Sequence, residues 1–267
     1  MSTLFNRLIW YFFLFIPLSL EGLTYDYAEI DPLNNLYLVS KKEGIIVRIS
    51  SEGSVKKAEG STFLAELQEP VGLQLQFPTS LWVMDRLNRT MVEFDMSLHY
   101  LRRFVLPDIL EDPIAFLITP DGRWLISDAM NQKIWQLSPG LSSPTPWGIG
   151  QEFLTIPPDM SLTGGGNRVY CFSPSESVVW IADSQGRLLF TYAIPDSIHA
   201  THIAGGWEEH IFISGSKGTW MVSPKNPPQK IDPIPCLKIW ENIRIYKDGT
   251  FTKKGFAPFV PKGTLNP

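Results

Sequence analysis

From about residue 24 onward the chain alternates short apolar runs with polar turns, and the alternation is periodic. Asn34 to Ser50 (NNLYLVSKKEGIIVRIS), Thr79 to Asp95 (TSLWVMDRLNRTMVEFD) and Gly122 to Ser138 (GRWLISDAMNQKIWQLS) share one layout with Asn167 to Asp183 and Glu209 to Ser223. Each segment is a turn, an apolar run, a polar turn and a second apolar run. Tyr37, Trp82, Leu125, Tyr170 and Phe212 occupy one column, at spacings of 45, 43, 45 and 42 residues. Val47, Val92, Ile134, Val179 and Trp220 occupy another, at 45, 42, 45 and 41. Three residues after the first column stand Ser40, Asp85, Asp128, Ser173 and Gly215, all turn formers.

The runs are short and rich in Val, Ile, Leu and aromatic residues, which predicts strands. Nothing after the N-terminal segment sustains a helical period. Each period has room for two more strands. Tyr27 to Ile30, Val71 to Leu75, Ile114 to Ile118, Met160 to Leu162 and His202 to Ala204 supply a leading apolar strand. Ser54 to Lys57, His99 to Val105, Glu152 to Thr155, Arg187 to Tyr192 and Gln229 to Ile231 supply a more polar trailing one, suited to a solvent-facing edge. Four strands every 42 to 45 residues is the signature of an all-β fold, the β-propeller.

Five full periods run from about Thr24 to Asp232. The remainder, Cys236 to Gly255, is too short for a sixth. Its Arg244-Ile245-Tyr246-Lys247-Asp248-Gly249 echoes Arg48-Ile49-Ser50-Ser51-Glu52-Gly53, and a lysine pair follows in both places. The reading is six blades with a shortened last blade, the alternative being five blades plus a C-terminal extension. The propeller spans residues 23–255, and residues 256–267, with three prolines, form a surface tail.

Val83 to Asp95 (VMDRLNRTMVEFD) and Ile126 to Trp135 (ISDAMNQKIW) resemble degenerate NHL-type repeats. In that family a V-x-D-x-x-N-x-x-I-x-x-F rhythm forms the middle strands of a blade. The match is good in these two segments and loose in the others, which lack the Asp and Asn. Residues 23–255 as a whole resemble the small exported six-bladed propellers of bacteria, many of which have no assigned activity. The resemblance implies an architecture and a habit of binding partners, and it carries over no reaction.

The first 22 residues differ in kind. Leu8 to Leu20 (LIWYFFLFIPLSL) is a 13-residue apolar run without charge, preceded by Arg7. It is shorter than the roughly 20 residues of a membrane-spanning helix and matches a secretory signal peptide. Residues 1–22 are therefore expected to be a signal peptide and the protein to be periplasmic or secreted. An uncleaved N-terminal membrane anchor is the alternative, since Leu20 is large for a cleavage site. Composition is globular, with 44% apolar and 19% charged residues. Lys and Arg number 23 against 27 Asp and Glu, a net charge of −4, which argues against nucleic acid as a partner. The two cysteines, Cys171 and Cys236, read as unpaired core residues rather than a disulfide, because Cys171 lies inside an apolar strand. The sequon Asn88-Arg89-Thr90 reads as a chance match in a turn.

The loops that lead into the innermost strands converge at the mouth of a propeller's channel. One carboxylate recurs in each: Asp26, Glu69, Asp112, Asp159 and Asp196, at 43, 43, 47 and 37 residues. A ring of such oxygens would suit Ca²⁺. Acids before proline equally cap turns and need no ion. Asp26, Glu69, Asp112 and Asp159, with His199 beside them, are the candidate channel-mouth ligands, and no metal ligand set or cofactor motif is assigned. Gly164-Gly165-Gly166 precedes a strand and reads as a turn rather than a phosphate cradle. Trp82, Trp124, Trp135, Trp180 and Trp220 fall at repeat positions, where packing between blades is expected. Trp147, in the polar loop Pro139 to Gly150, is the candidate exposed partner-binding anchor.

Two function classes follow. One is an exported non-enzymatic binding scaffold whose partner is a protein, a peptide or a glycan. The other is a metal-dependent hydrolase of the gluconolactonase type, whose paired Asn and Asp ligands are not visible in this sequence.

Overall fold

A computed structural model describes residues 26–31, 33, 35–50, 54–58, 66–76, 78–138, 143–148, 161–165, 168–205, 211–215, 218–223, 226–231, 238–240, 243–245 and 251–253. The N-terminal apolar segment, the C-terminal tail, Asp159 and Cys236 lie outside these residues.

The strands gather into antiparallel sheets in which every neighbour in sequence is a neighbour in space. Sheet 1 comprises β1 (Tyr27–Ile30), β2 (Leu36–Ser40), β3 (Ile45–Ile49) and β4 (Val55–Lys57). Sheet 2 comprises β5 (Pro70–Gln76), β6 (Ser80–Asp85), β7 (Thr90–Asp95) and β8 (Tyr100–Val105). Sheet 3 is β9 (Pro113–Ile118), β10 (Trp124–Asp128), β11 (Lys133–Leu137) and β12 (Thr145–Pro146). Sheet 4 is β13 (Ser161–Gly165), β14 (Arg168–Ser173), β15 (Val178–Asp183) and β16 (Leu188–Ala193). Sheet 5 is β17 (Ala200–Gly205), β18 (Ile211–Gly215), β19 (Gly218–Ser223) and β20 (Asn226–Ile231). A three-stranded sheet, β21 (Lys238–Trp240), β22 (Ile243–Ile245) and β23 (Phe251–Lys253), follows, and β23 approaches β1. The first strands β1, β5, β9, β13 and β17 neighbour one another in succession. This is the arrangement of propeller blades about an axis.

The register explains why the runs look uniformly apolar. Leu81 and Val83 of β6 pack towards sheet 1, in a cluster with Tyr37, Val39 and Ile46. Trp82 and Met84, the residues interleaved with them, pack towards sheet 3 with Phe116, Trp124 and Ile126. The same alternation places Leu125 and Ile134 against Val169, Cys171 and Trp180 of sheet 4. Tyr170 and Phe172 then meet Ile203, Ile211 and Trp220 of sheet 5. Side chains of a strand alternate between faces. Here both faces are buried, so the period of two vanishes into a continuous apolar run. The five repeat-position tryptophans are all core residues, as expected.

Two sequence expectations need correction. The fourth strand of sheet 3 is Thr145–Pro146, and residues 152–155, expected to form it, lie outside the described residues. Gly164 and Gly165 are not a turn but part of β13, paired with Val169 and Arg168. A glycine pair carries no strand propensity of its own, and ladder pairing with β14 overrides it.

Candidate functional site

The topology collects one set of connections at one end of the sheets. Pro70, the start of β5, pairs with Asp85, the end of β6. Thr90, the start of β7, pairs with Val105, the end of β8. The turn between second and third strands and the loop into the next first strand therefore share an end, and so do their counterparts in the other sheets.

That end is built by the turn-former column. Asp85 accepts N–H bonds from Gln68 (2.9 Å) and Glu69 (3.0 Å) in the incoming loop, and the Asn88 side-chain amide at 2.7 Å. Asp128 repeats the device with the N–H groups of Glu111 (2.7 Å) and Met130 (3.0 Å) and the Asn131 amide at 3.2 Å. The Asp and Asn of the repeat thus tie a turn to a loop through one carboxylate. Ser40 and Ser173 stand at the same place in their turns and accept the N–H groups of Glu43 at 3.3 Å and Glu176 at 3.2 Å. Four residues after each turn former the backbone is left-handed: φ is 60° at Gly44, 50° at Arg89, 54° at Gln132 and 53° at Ser177. Gly44 has a second constraint, since a β-carbon there would lie 2.1 Å from the Leu67 carbonyl oxygen. The sequon nitrogen, Nδ2 of Asn88, is the atom spent on Asp85.

Three of the candidate acids meet at this end, and cations separate them. Asp26 accepts the Lys41 backbone N–H at 2.6 Å. The Lys41 ammonium reaches Glu69 at 2.9 Å. Arg86 contacts the same Glu69 oxygen at 3.4 Å and grips Asp112 with two bonds, Nε to Oδ1 at 2.6 Å and Nη2 to Oδ2 at 3.0 Å. The Asp112 bonds hold the Arg86 guanidinium more firmly protonated than usual, against the opposing pull of its burial. The result is a chain of alternating charge running across sheets 1, 2 and 3. Bidentate Arg–carboxylate geometry fixes orientation as well as charge. Among the described residues no group of three or more His, Cys, Asp or Glu is arranged to hold a metal. His199 lies at the same end, on sheet 5. It is exposed, closes the short 3-10 turn Asp196–Ile198 and has a left-handed φ of 48°.

Lys41 and Arg86 were missed in the sequence. Each directly follows a turn former, at a spacing of 45 residues, so the signal was present in the same columns.

Trp147 is not an exposed anchor. It is 2% exposed and packs with Leu117, Ile134, Val169 and Trp180 between sheets 3 and 4. Its backbone N–H bonds to the Ile134 carbonyl at 2.8 Å, continuing the pairing of β12 with β11 by one step. Its ring lies beneath Gly186, where a β-carbon would come 3.0 Å from the indole. The polar composition of residues 139–150 hid one deeply buried side chain. Cys171 is free and fully buried, and that burial pushes its thiol pKa far up, so it is an inert core residue.

No protein-family model matches the chain, and no curated protein matches it. Solved structures do. Virginiamycin B lyase from Staphylococcus aureus aligns with a TM-score of 0.60 at 11% identity, covering 91% of this chain and 87% of that one. A catalytically inactive form of that lyase, solved with quinupristin, aligns at 0.61 and 11% identity, over 89% and 86% of the two chains. A structure of the nidogen/laminin complex aligns at 0.57 and 15% identity, over 74% and 75%. At such identities the likeness is one of fold: the chain is a β-propeller.

Proposed function

We propose that this protein is a six-bladed, NHL-like propeller that works outside the cytoplasm as a non-enzymatic binding scaffold, with a protein, peptide or glycan as partner. The blade count rests on five four-stranded sheets followed by a three-stranded one beside the first. Export rests on the N-terminal apolar segment. The observation that carries the binding reading is the alternating chain Lys41–Glu69–Arg86–Asp112. A hydrolase of the gluconolactonase type needs free oxygen ligands at the channel mouth. Here a divalent cation would have to displace an ammonium and a guanidinium from Glu69, and the bidentate Arg86 from Asp112. Paired charges on capped turns instead make a rigid polar surface, and loops on a rigid scaffold are where recognition concentrates. The propeller in the nidogen/laminin structure belongs to a protein complex, which is consistent with this use of the fold.

The test combines two measurements. Crosslinking in cell-envelope extracts should retain a partner on the protein that is lost when the protein is heat-denatured. Addition of Ca²⁺ or Zn²⁺ at millimolar concentration should leave the melting temperature unchanged, because ligand linkage raises stability only where a site exists. A rise of several degrees with either ion, or lactone hydrolysis stimulated by it, would overturn the reading in favour of the enzyme.

A further inference from the structure

Four of the eight exposed bulky apolar side chains among the described residues stand together. Leu87 is 63% exposed, Val105 77%, Ile109 45% and Met130 66%, and all four stand at the end that carries the acid–base chain, on sheets 2 and 3. They are brought together by hydrogen bonds that the turns make to one loop, residues 106–112. Arg89, in the turn that carries Leu87, donates through Nη2 to the Pro107 carbonyl at 3.2 Å, and its own carbonyl accepts the Leu106 N–H at 2.8 Å. Asn131, beside Met130, donates to the Ile109 carbonyl at 2.6 Å. The loop with Ile109 therefore lies between the Leu87 turn and the Met130 turn, with Val105 at its start.

The exposure is imposed by the backbone. Leu87 and Met130 each sit between the capping Asp and the Asn of the turn, two residues before the left-handed position. The carboxylate holds the Asn that follows each tip, and the residue before it bonds the incoming loop, Arg86 N–H to the Glu69 carbonyl and Ala129 N–H to the Asp112 carbonyl at 2.9 Å, so the tip between them is turned outward. At the corresponding positions of sheets 1 and 4 the chain has Lys42 and Ser175, which suit water. Apolar tips thus occur on the two adjacent sheets whose turns are capped by an aspartate. Trp82, Trp124 and Phe104 pack together between these two sheets, two contacts T-shaped and one tilted, with ring centroids 5.1 to 5.7 Å apart. A rigid tip loses little conformational freedom when it is covered, which lowers the cost of binding.

Two carboxylates face outward around these tips. Asp108 and Glu111 flank Ile109, and Asp108 is fully exposed at 105%. Two nearby cations are engaged within this end itself. Arg86 is 35% exposed and engaged by Glu69 and Asp112, and Arg89 is 34% exposed and engaged by Pro107 and Asp108. Lys133, at the foot of the Met130 turn, is exposed, with its amine 5.7 Å from the centroid of the Trp135 ring. A partner approaching this face meets apolar tips with acids beside them.

We propose that Leu87, Val105, Ile109 and Met130, bordered by Asp108 and Glu111, form a docking surface for a basic polypeptide segment carrying bulky apolar side chains. This rests on the binding-scaffold reading and names the chemistry of its partner. The apolar tips supply the desolvated contacts, and the carboxylates select cationic residues beside them and steer their approach.

The test uses the protein and two immobilised peptide sets of equal length. One combines Lys and Arg with Leu, Phe and Trp, and the other replaces each Lys and Arg by Glu or Asp. The basic set should bind, the acidic set should not, and binding should weaken as salt rises. The double variant Leu87→Ser/Met130→Ser should lower affinity by about tenfold or more. Leu101→Ser, on the outer strand β8 and 50% exposed, should leave it unchanged. Because both turn tips are solvent-exposed, the double variant should melt with the parent. If Leu87→Ser/Met130→Ser binds the basic set like the parent, if the acidic set binds as well, or if neither set binds, the docking surface is refuted. A partner still captured from envelope extracts in that event would leave the scaffold reading standing, so the two proposals fail separately.

Discussion

Replacing Trp147 by alanine tests how sheets 3 and 4 are joined. The side chain is 2% exposed and lies among Leu117, Leu125, Ile134, Val169 and Trp180, so truncation leaves a cavity lined by apolar groups from both sheets. Its indole N–H has no hydrogen-bond partner among the described residues, so no bond is lost to offset or add to the packing loss. Aromatic-to-alanine changes in well-packed cores cost about 3–5 kcal/mol. Part of the wall is backbone, at Gly148 and Gly186, which cannot collapse inward as a side chain would. The upper half of that range is therefore expected. For a domain of this size each kcal/mol lowers the melting midpoint by roughly 2–4 °C, so thermal unfolding followed by circular dichroism should show a fall on the order of 10 °C. Trp147→Phe should recover more than half of the loss. The reasoning is refuted if Trp147→Ala melts within about a degree of the parent, which would mean that the ring is not buried where the structure puts it.

Gly186→Ala should destabilise by more than about 2 kcal/mol: its φ is +84° and a β-carbon would lie 2.6 Å from the Gly148 backbone nitrogen, and a neutral result in denaturant melts would exclude that close approach. Asp128→Ala removes the acceptor for the N–H groups of Glu111, Met130 and Asn131 and should cost about 2–4 kcal/mol, with Asp128→Asn costing less because one oxygen remains; equal losses in the two variants would count against the cap. Burial pulls the carboxyls of Asp95 and Asp183 upward, yet N–H bonds in their turns and the His99 and Arg187 side chains outweigh it and hold both below their ordinary 3.8. A depressed native pKa means that the unfolded chain binds more protons, so the stability these groups add is present above 3.8 and is lost as pH falls through the lower native values. Melting should be flat near neutrality and decline below about pH 4, and Asp95→Asn/Asp183→Asn should flatten that decline; an unchanged slope would remove these turns from the acid response.

The repeat was legible because each strand is buried on both faces. Two columns of bulky residues and one of turn formers survive in the sequence, since an inward position and a capped turn tolerate few residue types. What each acid does was not legible. The period places Asp26, Glu69 and Asp112 at one end without saying whether they are free. Their partners come from turns in neighbouring sheets, Lys41 for Glu69 and Arg86 for Asp112, and no local pattern links residues 26 or 28 positions apart. Trp147 failed for a different reason. A two-residue strand, Thr145–Pro146, carries no periodic signal, so a buried ring in a Pro- and Ser-containing segment looks exposed. The left-handed turn position announces itself only at Gly44. Arg89, Gln132 and Ser177 adopt the same conformation because the preceding cap imposes it.

The capping aspartates connect these levels. In sheets 2 and 3 a single carboxylate ties the turn after the second strand to the loop before the first, whereas in sheets 1 and 4 a serine hydroxyl stands at that place and accepts the N–H of Glu43 or Glu176. The aspartate cap fixes two chain segments at once, and the residue at the tip is left outside with its backbone immobile. In sheet 2 the fixed segment also aims Arg86 at Glu69 and Asp112, which neutralises the very acids that a metal would need. One substitution therefore separates structural from functional consequences. Asp85→Ser would put at this turn of sheet 2 the residue found in sheets 1 and 4, removing the carboxylate that reaches Gln68, Glu69 and Asn88 and leaving the core side chains unchanged. If the tips and the charge chain depend on the cap, this variant should bind the basic peptides several-fold more weakly while losing only about 1–2 kcal/mol of stability. Binding equal to the parent, with the same loss of stability, would show that the cap serves folding alone.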